Sequence, residues 1–477
     1  MAETNLDNEH EEYTATLDAR TKSRDLYEGW SAVKAKTTTY LYKEPRESDD
    51  EYTVRLNRAV IDNWVEKIVQ ARQAVMFRKV PKRTLPAALE ALATDVDRNG
   101  GSADSFFEAA SFEAQVDGYH WVAVDMPKAP EAGHTSLAEE KASRHRPFFE
   151  QIPANSVPDW EVGPDGQLVW AVVRQSRYEQ RMEPGKAQKS IAQWKVWYRD
   201  RWEIIEAGEE GNAIKVVEAG MNTSGVVPLV PFFGIKYSNY TGWPVCDSLI
   251  EHIVLIYNKR SDLDRSERIA AHPTPVVMSP KKFEIMDMSN GIWIDTSGAA
   301  GIPVDVKVLE TTGVAFDSIR ESITSIEHTI RAHALAQAKK DSAQVESADA
   351  QKEYKQNFNS SLRSASVNCE SSELRCWKIA ALWLGETGAI KVEYNRDFDD
   401  ATIEEAMISR LWELSGGKPV ITRKTLLEIL QRGEIIPPEL DVDSEIEMLD
   451  AEDAEATAAL AKSLVPVAQS MPPEPVE

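Results

Sequence analysis

The sequence predicts an α+β fold, and three observations carry that prediction. Segments with apolar residues every three to four positions flank a block of short β-rich runs, and do not alternate with it. Two helical segments enclose a small β-like insertion. A third, much longer helical segment leads to a single returning strand. The chain has 477 residues, a length for roughly two to four domains. Its hydrophobic fraction of 42% supports sizeable cores and excludes disorder over the whole chain.

The elements follow in chain order. Val54, Leu56, Val60, Ile61, Trp64, Ile68, Val69, Val75 and Met76 recur at helical spacing and predict one helix over 52–77, with Pro81 after it. A further helical stretch covers 106–114, and the apolar, β-branched run at 120–125 predicts a buried strand. Residues 128–146 read as a polar loop. Strands are predicted at 167–174, 192–199, 201–205 and 214–219. Turn signals separate them, and the gaps are too short for helical crossovers, so pairing is antiparallel. Pro244 suits a first helical turn, and Leu249, Ile250, Ile253, Val254, Tyr257 and Leu263 follow with a 3–4 period until Pro273. Short strand signals occupy 275–311. A narrow stripe, Phe316, Ile319, Ile323, Ile326, Ile330 and Ala334, predicts the next helix. A long helix covers roughly 346–384, and residues 389–394 read as a strand. Two short helices are predicted at 403–414 and 422–432. No internal repeat is visible.

Charge is uneven. The net charge is −24, and residues 437–477 hold 11 acids against the single base Lys462. Residues 1–20 hold six acids against Arg20. The tail is expected to be flexible for most of its length. No basic run is visible, so a tight grip on nucleic-acid phosphates is not expected. The acidic, polar start predicts no secretory leader. No apolar run approaches the about 20 residues of a membrane span. Three cysteines, Cys246, Cys369 and Cys376, are too few for a disulfide framework and fit a reducing, cytosolic origin. Cys369 and Cys376 read as buried free thiols.

Known catalytic motifs are scarce. Gly416-Gly417-Lys418 is followed by Pro419, which removes an N–H that a phosphate cradle needs, so it reads as a turn. His328 and His333 are five apart and do not share a helix face as zinc ligands must. His10 has no second histidine at metal spacing, and no nucleophile elbow occurs. Acid pairs such as Asp49-Asp50 and Asp399-Asp400 read as surface loops. No catalytic residue, metal or cofactor is predicted, and a structural or interaction role is favoured over an enzyme.

The order of elements, together with five local patterns, resembles the portal proteins of tailed bacteriophages, the head-tail connectors of the portal vertex. The patterns are ESDDEYTVRLNRAVIDNW at 47–64, with its Tyr-x-x-Arg; FFEAASFEAQVDGYHWVAVDMP at 106–127, with a Gly before an apolar strand; and RPFFEQIPANSVPDWEVGPDGQLVWAVVR at 146–174. VPLVPFFGIKYS at 227–238 leads into the helix beginning PVCDSLIEHIVLIYNKRS at 244, with its Asn and Ser, and the fifth pattern spans 309–350. Together they cover about residues 40–400. The loop after the return helix departs from the family, lacking the Thr-Ala-Thr run of many relatives, and the acidic tail has no counterpart.

The resemblance implies a portal-type fold: an acidic arm at 1–39, a mixed α/β wing at 40–244, and a helical-hairpin stem at 245–272 and 313–338. A small β-like clip lies at 273–312 and a channel loop at 339–349. A long helix and strand at 350–400 return to the wing. An α-helical crown at 401–436 and the tail at 437–477 follow. It implies assembly into a homo-oligomeric ring, usually of twelve subunits, at one capsid vertex of the virion, made in the host cytoplasm. DNA is packaged and ejected through the ring. The implied partners are the terminase large subunit, a head-completion or adaptor protein, the major capsid and scaffolding proteins, and double-stranded DNA; no membrane is involved.

The residues implied for the DNA channel are Lys339, Lys340, Ser342 and Gln344. A solvated helix end explains the two lysines equally well. Subunit contacts are expected at Ile319, Ile323, Ile326, Ile330, Ile253 and Tyr257, because a lone hairpin cannot bury a stripe on each face. Motor and connector docking is expected at Lys281, Lys282, Phe283 and Trp293 of the clip. Two alternatives stay open: another capsid or connector protein that shares the hairpin, and a DNA-packaging nuclease.

Overall fold

The computed structural model describes residues 6–127, 145–178, 190–207, 214–271, 274–280, 292–297, 305–309, 314–335, 348–398, 422–432, 436 and 440–463. It divides into two compact units, Met1–Phe398 and Asp399–Glu477. The larger unit is mixed α/β. It opens with helices α1 (Glu11–Glu28), α2 (Trp30–Ala35), α3 (Asp49–Arg58) and α4 (Trp64–Met76). Where periodicity predicts one helix over 52–77, the structure has two. Ala59 turns to extended backbone, and Asn63 Oδ1 accepts the Glu66 N–H at 3.0 Å, an N-cap that restarts the helix.

Strand β1 (Lys82–Thr84), α5 (Ala87–Ala93) and α6 (Ala103–Asp117) lead to β2 (Tyr119–Asp125) and β3 (Phe148–Pro153). Gly118 joins α6 to β2 with a φ of 87°, and a Cβ there would sit 2.5 Å from the Gly242 carbonyl oxygen. Both the turn and the close approach demand glycine. The predicted β block is an antiparallel meander of β4 (Asp159–Val162), β5 (Leu168–Tyr178), β6 (Ser190–Tyr198), β7 (Arg201–Ala207) and β8 (Ile214–Met221). Strand β9 (Leu229–Phe233) returns to pair with β2, giving the sheet order β3-β2-β9. Pro231 lies in β9, and an edge strand tolerates its missing N–H. The short pair β10 (Ile235–Lys236) and β11 (Gly242–Trp243) completes this region.

Helix α7 (Ile250–Ala271) runs out to a three-stranded sheet of β12 (Thr274–Ser279), β13 (Ile292–Asp295) and β14 (Asp305–Leu309). Helix α8 (Val314–Leu335) returns. Helix α9 (Ala348–Leu384) follows, and β15 (Lys391–Glu393) pairs antiparallel with β1.

Strand β2 separates two cores, because its side chains alternate. Val122 and Val124 pack with α5, α6 and α9, whereas Tyr119, Trp121 and Ala123 pack with Trp160, Ala171 and Trp197 of the meander. A third core holds α1–α4 together with α7 and α8. Cys246, Cys369 and Cys376 are buried free thiols, and burial pushes those of Cys246 and Cys369 up to about 12.

The smaller unit contains α10 (Arg423–Arg432) and α11 (Val442–Ser463). The predicted helix at 403–414 lies outside the described residues. Helix α11 occupies part of the acidic tail, the stretch expected to be disordered or weakly helical. Its Ala- and Glu-rich sequence favours helix, and Asp443 and Asp453 meet Lys424 and Arg423 of α10 at 2.5 Å.

Candidate functional site: the capped helical hairpin

Helices α7 and α8 have 22 residues each, so the hairpin is about 33 Å long. Its two halves differ. At the base, Ile250, Ile253, Val254, Ile256 and Tyr257 of α7 and Ile323 and Ile330 of α8 are buried with α3 and α4 residues in one core. At the far end, none of the described side chains of 262–271 or 316–322 is buried. The hairpin is rooted at one end and projects at the other.

Polar contacts fasten the root. Asn258 Nδ2 donates to the carbonyl oxygens of Tyr40 at 2.7 Å and Val254 at 2.9 Å, and its Oδ1 accepts the Tyr42 N–H at 2.9 Å. Tyr52 Oη donates to the Leu41 carbonyl at 2.8 Å. Arg55 donates to both oxygens of Glu47 at 2.8 Å, to the Tyr42 carbonyl at 2.5 Å and to Ser261 Oγ at 3.4 Å. Arg265 reaches the same Glu47 carboxylate at 3.3 Å. The hydrogen bonds from Arg55 outweigh burial and hold the Glu47 carboxyl below its ordinary value. Buried ions are tolerated because they are bidentate and paired.

Along the hairpin, Arg260 ties α7 to Glu327 of α8 at 2.7 Å and to Asp62 at 2.5 Å, and Arg331 joins Glu327 at 3.1 Å. Further out, Arg320 of α8 pairs with Glu267 of α7 and, at 3.1 Å, with Asp317. These outer pairs are exposed and worth little individually. In the cap, β12 lies between β13, parallel to it, and β14, antiparallel. Val276 is buried, whereas Ile294 and Val306 are exposed.

The expected site residues fall into three groups. Lys339, Lys340, Ser342 and Gln344, and likewise Lys281, Lys282 and Phe283, lie outside the described residues. Trp293 stands in β13 opposite Val277; its side chain lies outside the described set. The isoleucine stripe forms the third group. Ile253, Tyr257, Ile323 and Ile330 are at most 7% exposed in the single chain, and Ile319 and Ile326 pack against the same core. Residues of α3, α4 and the other hairpin helix share this core with them, and Ile319 and Ile326 keep part of their side chains exposed. The Glu47–Arg55–Arg265 clasp was absent from the sequence expectations. The Tyr-x-x-Arg pattern at 52–55 and the Asn and Ser at 258 and 261 were its only visible signals.

A second buried network fastens the end of α9. Glu373 is fully buried and accepts from Arg83 Nε at 2.5 Å, Trp377 Nε1 at 2.8 Å and Tyr394 Oη at 2.6 Å. Asp104 also pairs with Arg83. Burial lowers the Arg83 pKa, but the bonds from these carboxylates reverse that and raise it. Among the described residues no group of three or more His, Cys, Asp or Glu side chains is placed to hold a metal ion.

A family model, DUF4055, a domain of unknown function, matches residues 249–384, the span of the hairpin, its cap and α9. A comparison with curated proteins finds no match. Among solved structures, the chain is similar to a chain from the virion of a native gene transfer agent particle, at 11% identity and a TM-score of 0.37, covering 83% of this chain and 98% of that one. It is also similar to a chain in the neck of the empty particle with C6 symmetry, at 11% identity and a TM-score of 0.41, covering 83% and 97%. A third is in the neck of the native particle with C12 symmetry, at 11% identity and a TM-score of 0.37, covering 82% and 96%.

Proposed function

We propose that this chain is a portal-ring subunit of a tailed-phage-type particle, a non-enzymatic conduit for double-stranded DNA located at one capsid vertex. The observation that carries the reading is the hairpin: rooted in the body by a buried clasp, projecting for its outer half, and capped by a small sheet. A projecting two-helix hairpin with solvent on most sides gains rigidity when neighbouring copies stand beside it in a closed ring. The sequence patterns at 47–64 and 244–261 support the same reading, because their Tyr52, Arg55, Asn258 and Ser261 form the root.

Ile253, Tyr257, Ile323 and Ile330 are buried inside the single chain, so a subunit contact draws on more exposed side chains as well. Tyr42, Val54, Val60 and Leu255 are large apolar side chains at least 42% exposed, on or beside the elements that build the root. We assign them to the ring contact. The cap takes the motor and the adaptor, and the loop with Lys339 and Lys340 faces the DNA. A net charge of −24 suits a conduit, since few fixed phosphate contacts must break as DNA slides. Negative-stain imaging of the purified chain tests this: rings with a central hole are expected, and a dispersed monomer overturns the reading.

A further inference from the structure

Lys195 of β6 meets Asp125 of β2 at 2.5 Å, with side chains 16% and 13% exposed. In the other described lysine–carboxylate pairs the lysine side chain is at least 33% exposed. Water therefore reaches those pairs, whereas Lys195 is walled by aromatic rings. Its ammonium lies 4.1 Å from the ring centre of Trp197 and 5.1 Å from that of Trp202.

The topology explains the meeting of two residues 70 positions apart. Side chains alternate along a strand, so Lys195 shares the face of Trp197, and Asp125 shares the face of Trp121 and Ala123; these two faces pack together. Glu150 of β3 pairs with Ala123 and so stands diagonal to Asp125 on the same face. Asp125, Glu150, Lys195 and Trp197 line one pocket of about 160 Å³. Asp125 Oδ1 accepts the Met126 N–H at 2.8 Å, which leaves Oδ2 to the ammonium. Burial pushes the Glu150 carboxyl up; Lys195 opposes the rise and Asp125 adds to it. The outer side of Glu150 is open to solvent.

We propose that Lys195 and Asp125 condense into an amide, a self-formed isopeptide crosslink between β6 and β2. The parts that such a condensation needs stand together: an amine, a carboxyl carbon and a proton carrier. The ammonium passes one proton to Oδ2, a transfer that the aromatic walls favour because they disfavour the ions. The neutral Nζ attacks Cγ of Asp125, and the Nζ–Cγ bond forms. The Met126 N–H holds the charge that develops on Oδ1. Glu150 gives a proton to the Oδ2 hydroxyl and takes one back from Nζ. The Cγ–Oδ2 bond breaks, and water leaves by the open side of the pocket. One ammonium and one carboxylate become one amide and one water, so atoms and charge balance without a co-reactant. The bond ties the meander to the central strand of the neighbouring sheet, and it does not depend on the ring reading.

The test is the intact mass of the folded full chain, followed by peptide mapping. The wild-type chain is expected to be one water lighter than its sequence, with a branched peptide joining Lys195 to Asp125. Lys195→Arg and Asp125→Ala are expected at full mass and with a lower melting temperature. Asp125→Asn should give the same branched peptide, formed with loss of ammonia in place of water. Glu150→Gln should slow formation of the bond after refolding by at least about tenfold. A wild-type rate in Glu150→Gln overturns the proton-carrier role. A wild-type chain that keeps its full mass after long incubation at neutral pH overturns the crosslink, and so does a water loss that maps to any other residue. Should Asp125→Ala fail to fold, the wild-type mass and the branched peptide decide by themselves.

Discussion

The root and the tip of the hairpin are built from the same two helices, yet they obey different rules. At the root, Ile253, Tyr257 and Ile330 are at most 2% exposed, and charges such as Glu47 and Arg55 are buried and paired. At the tip, ion pairs such as Arg268–Asp264 are exposed, and no described side chain of 262–271 is buried. The stability of the hairpin therefore resides at one end. The other end is free to be shaped by whatever stands beside it, which is the behaviour wanted of a projecting element in a ring.

That contrast can be broken most severely at Ile330. It is 0% exposed, so Ile330→Asp buries an unpaired carboxylate and is expected to cost several kcal/mol, leaving a chain without a cooperative melt by circular dichroism. The clasp comes next. Arg55→Met leaves Glu47, whose side chain is 1% exposed, with Arg265 as its remaining cation, and a loss of about 3 kcal/mol is expected in urea unfolding. Glu47 also gives a pH signature. Its folded-state pKa is depressed, chiefly by hydrogen bonds from Arg55, so its contribution is full above the unfolded value of about 4.3 and is lost as pH falls through the folded value. The difference in melting temperature between wild type and Glu47→Gln should shrink as pH falls below about 4. Ile326→Ala, at a half-buried position, should cost about 1–2 kcal/mol in the same unfolding assay. The smallest effect belongs to the tip: Arg320→Ala removes only exposed pairs and should change stability by less than about 0.5 kcal/mol. A large destabilisation there would show that the tip carries the fold as much as the root does.

Much of this architecture is written in local pattern. The 3–4 spacing from Leu249 to Leu263 and from Phe316 to Ala334 marks both hairpin helices, and turn residues punctuate the meander. What periodicity reports is that a stripe is buried, not what buries it. Ile323 and Ile330 read the same whether a neighbouring subunit or α4 covers them. Strand β9 is hidden by Pro228 and Pro231, which argue against a strand unless it is known to lie at an edge. The break between α3 and α4 is hidden by apolar residues, Val60 and Ile61, that keep the helical rhythm across it. The clasp joins Glu47 to Arg265 across more than 200 residues, and each partner alone reads as a surface charge.

Ring formation is the most direct measure of the central claim. Mass photometry and negative-stain imaging of the same full-length preparation should show particles at a high multiple of 53.4 kDa with a central hole and rotational symmetry. They should lose that mass, yet keep a native melt, when Val60 and Leu255 are changed to Asp. A wild-type chain that stays at 53.4 kDa at every concentration tested, with no ring in the images, contradicts the account.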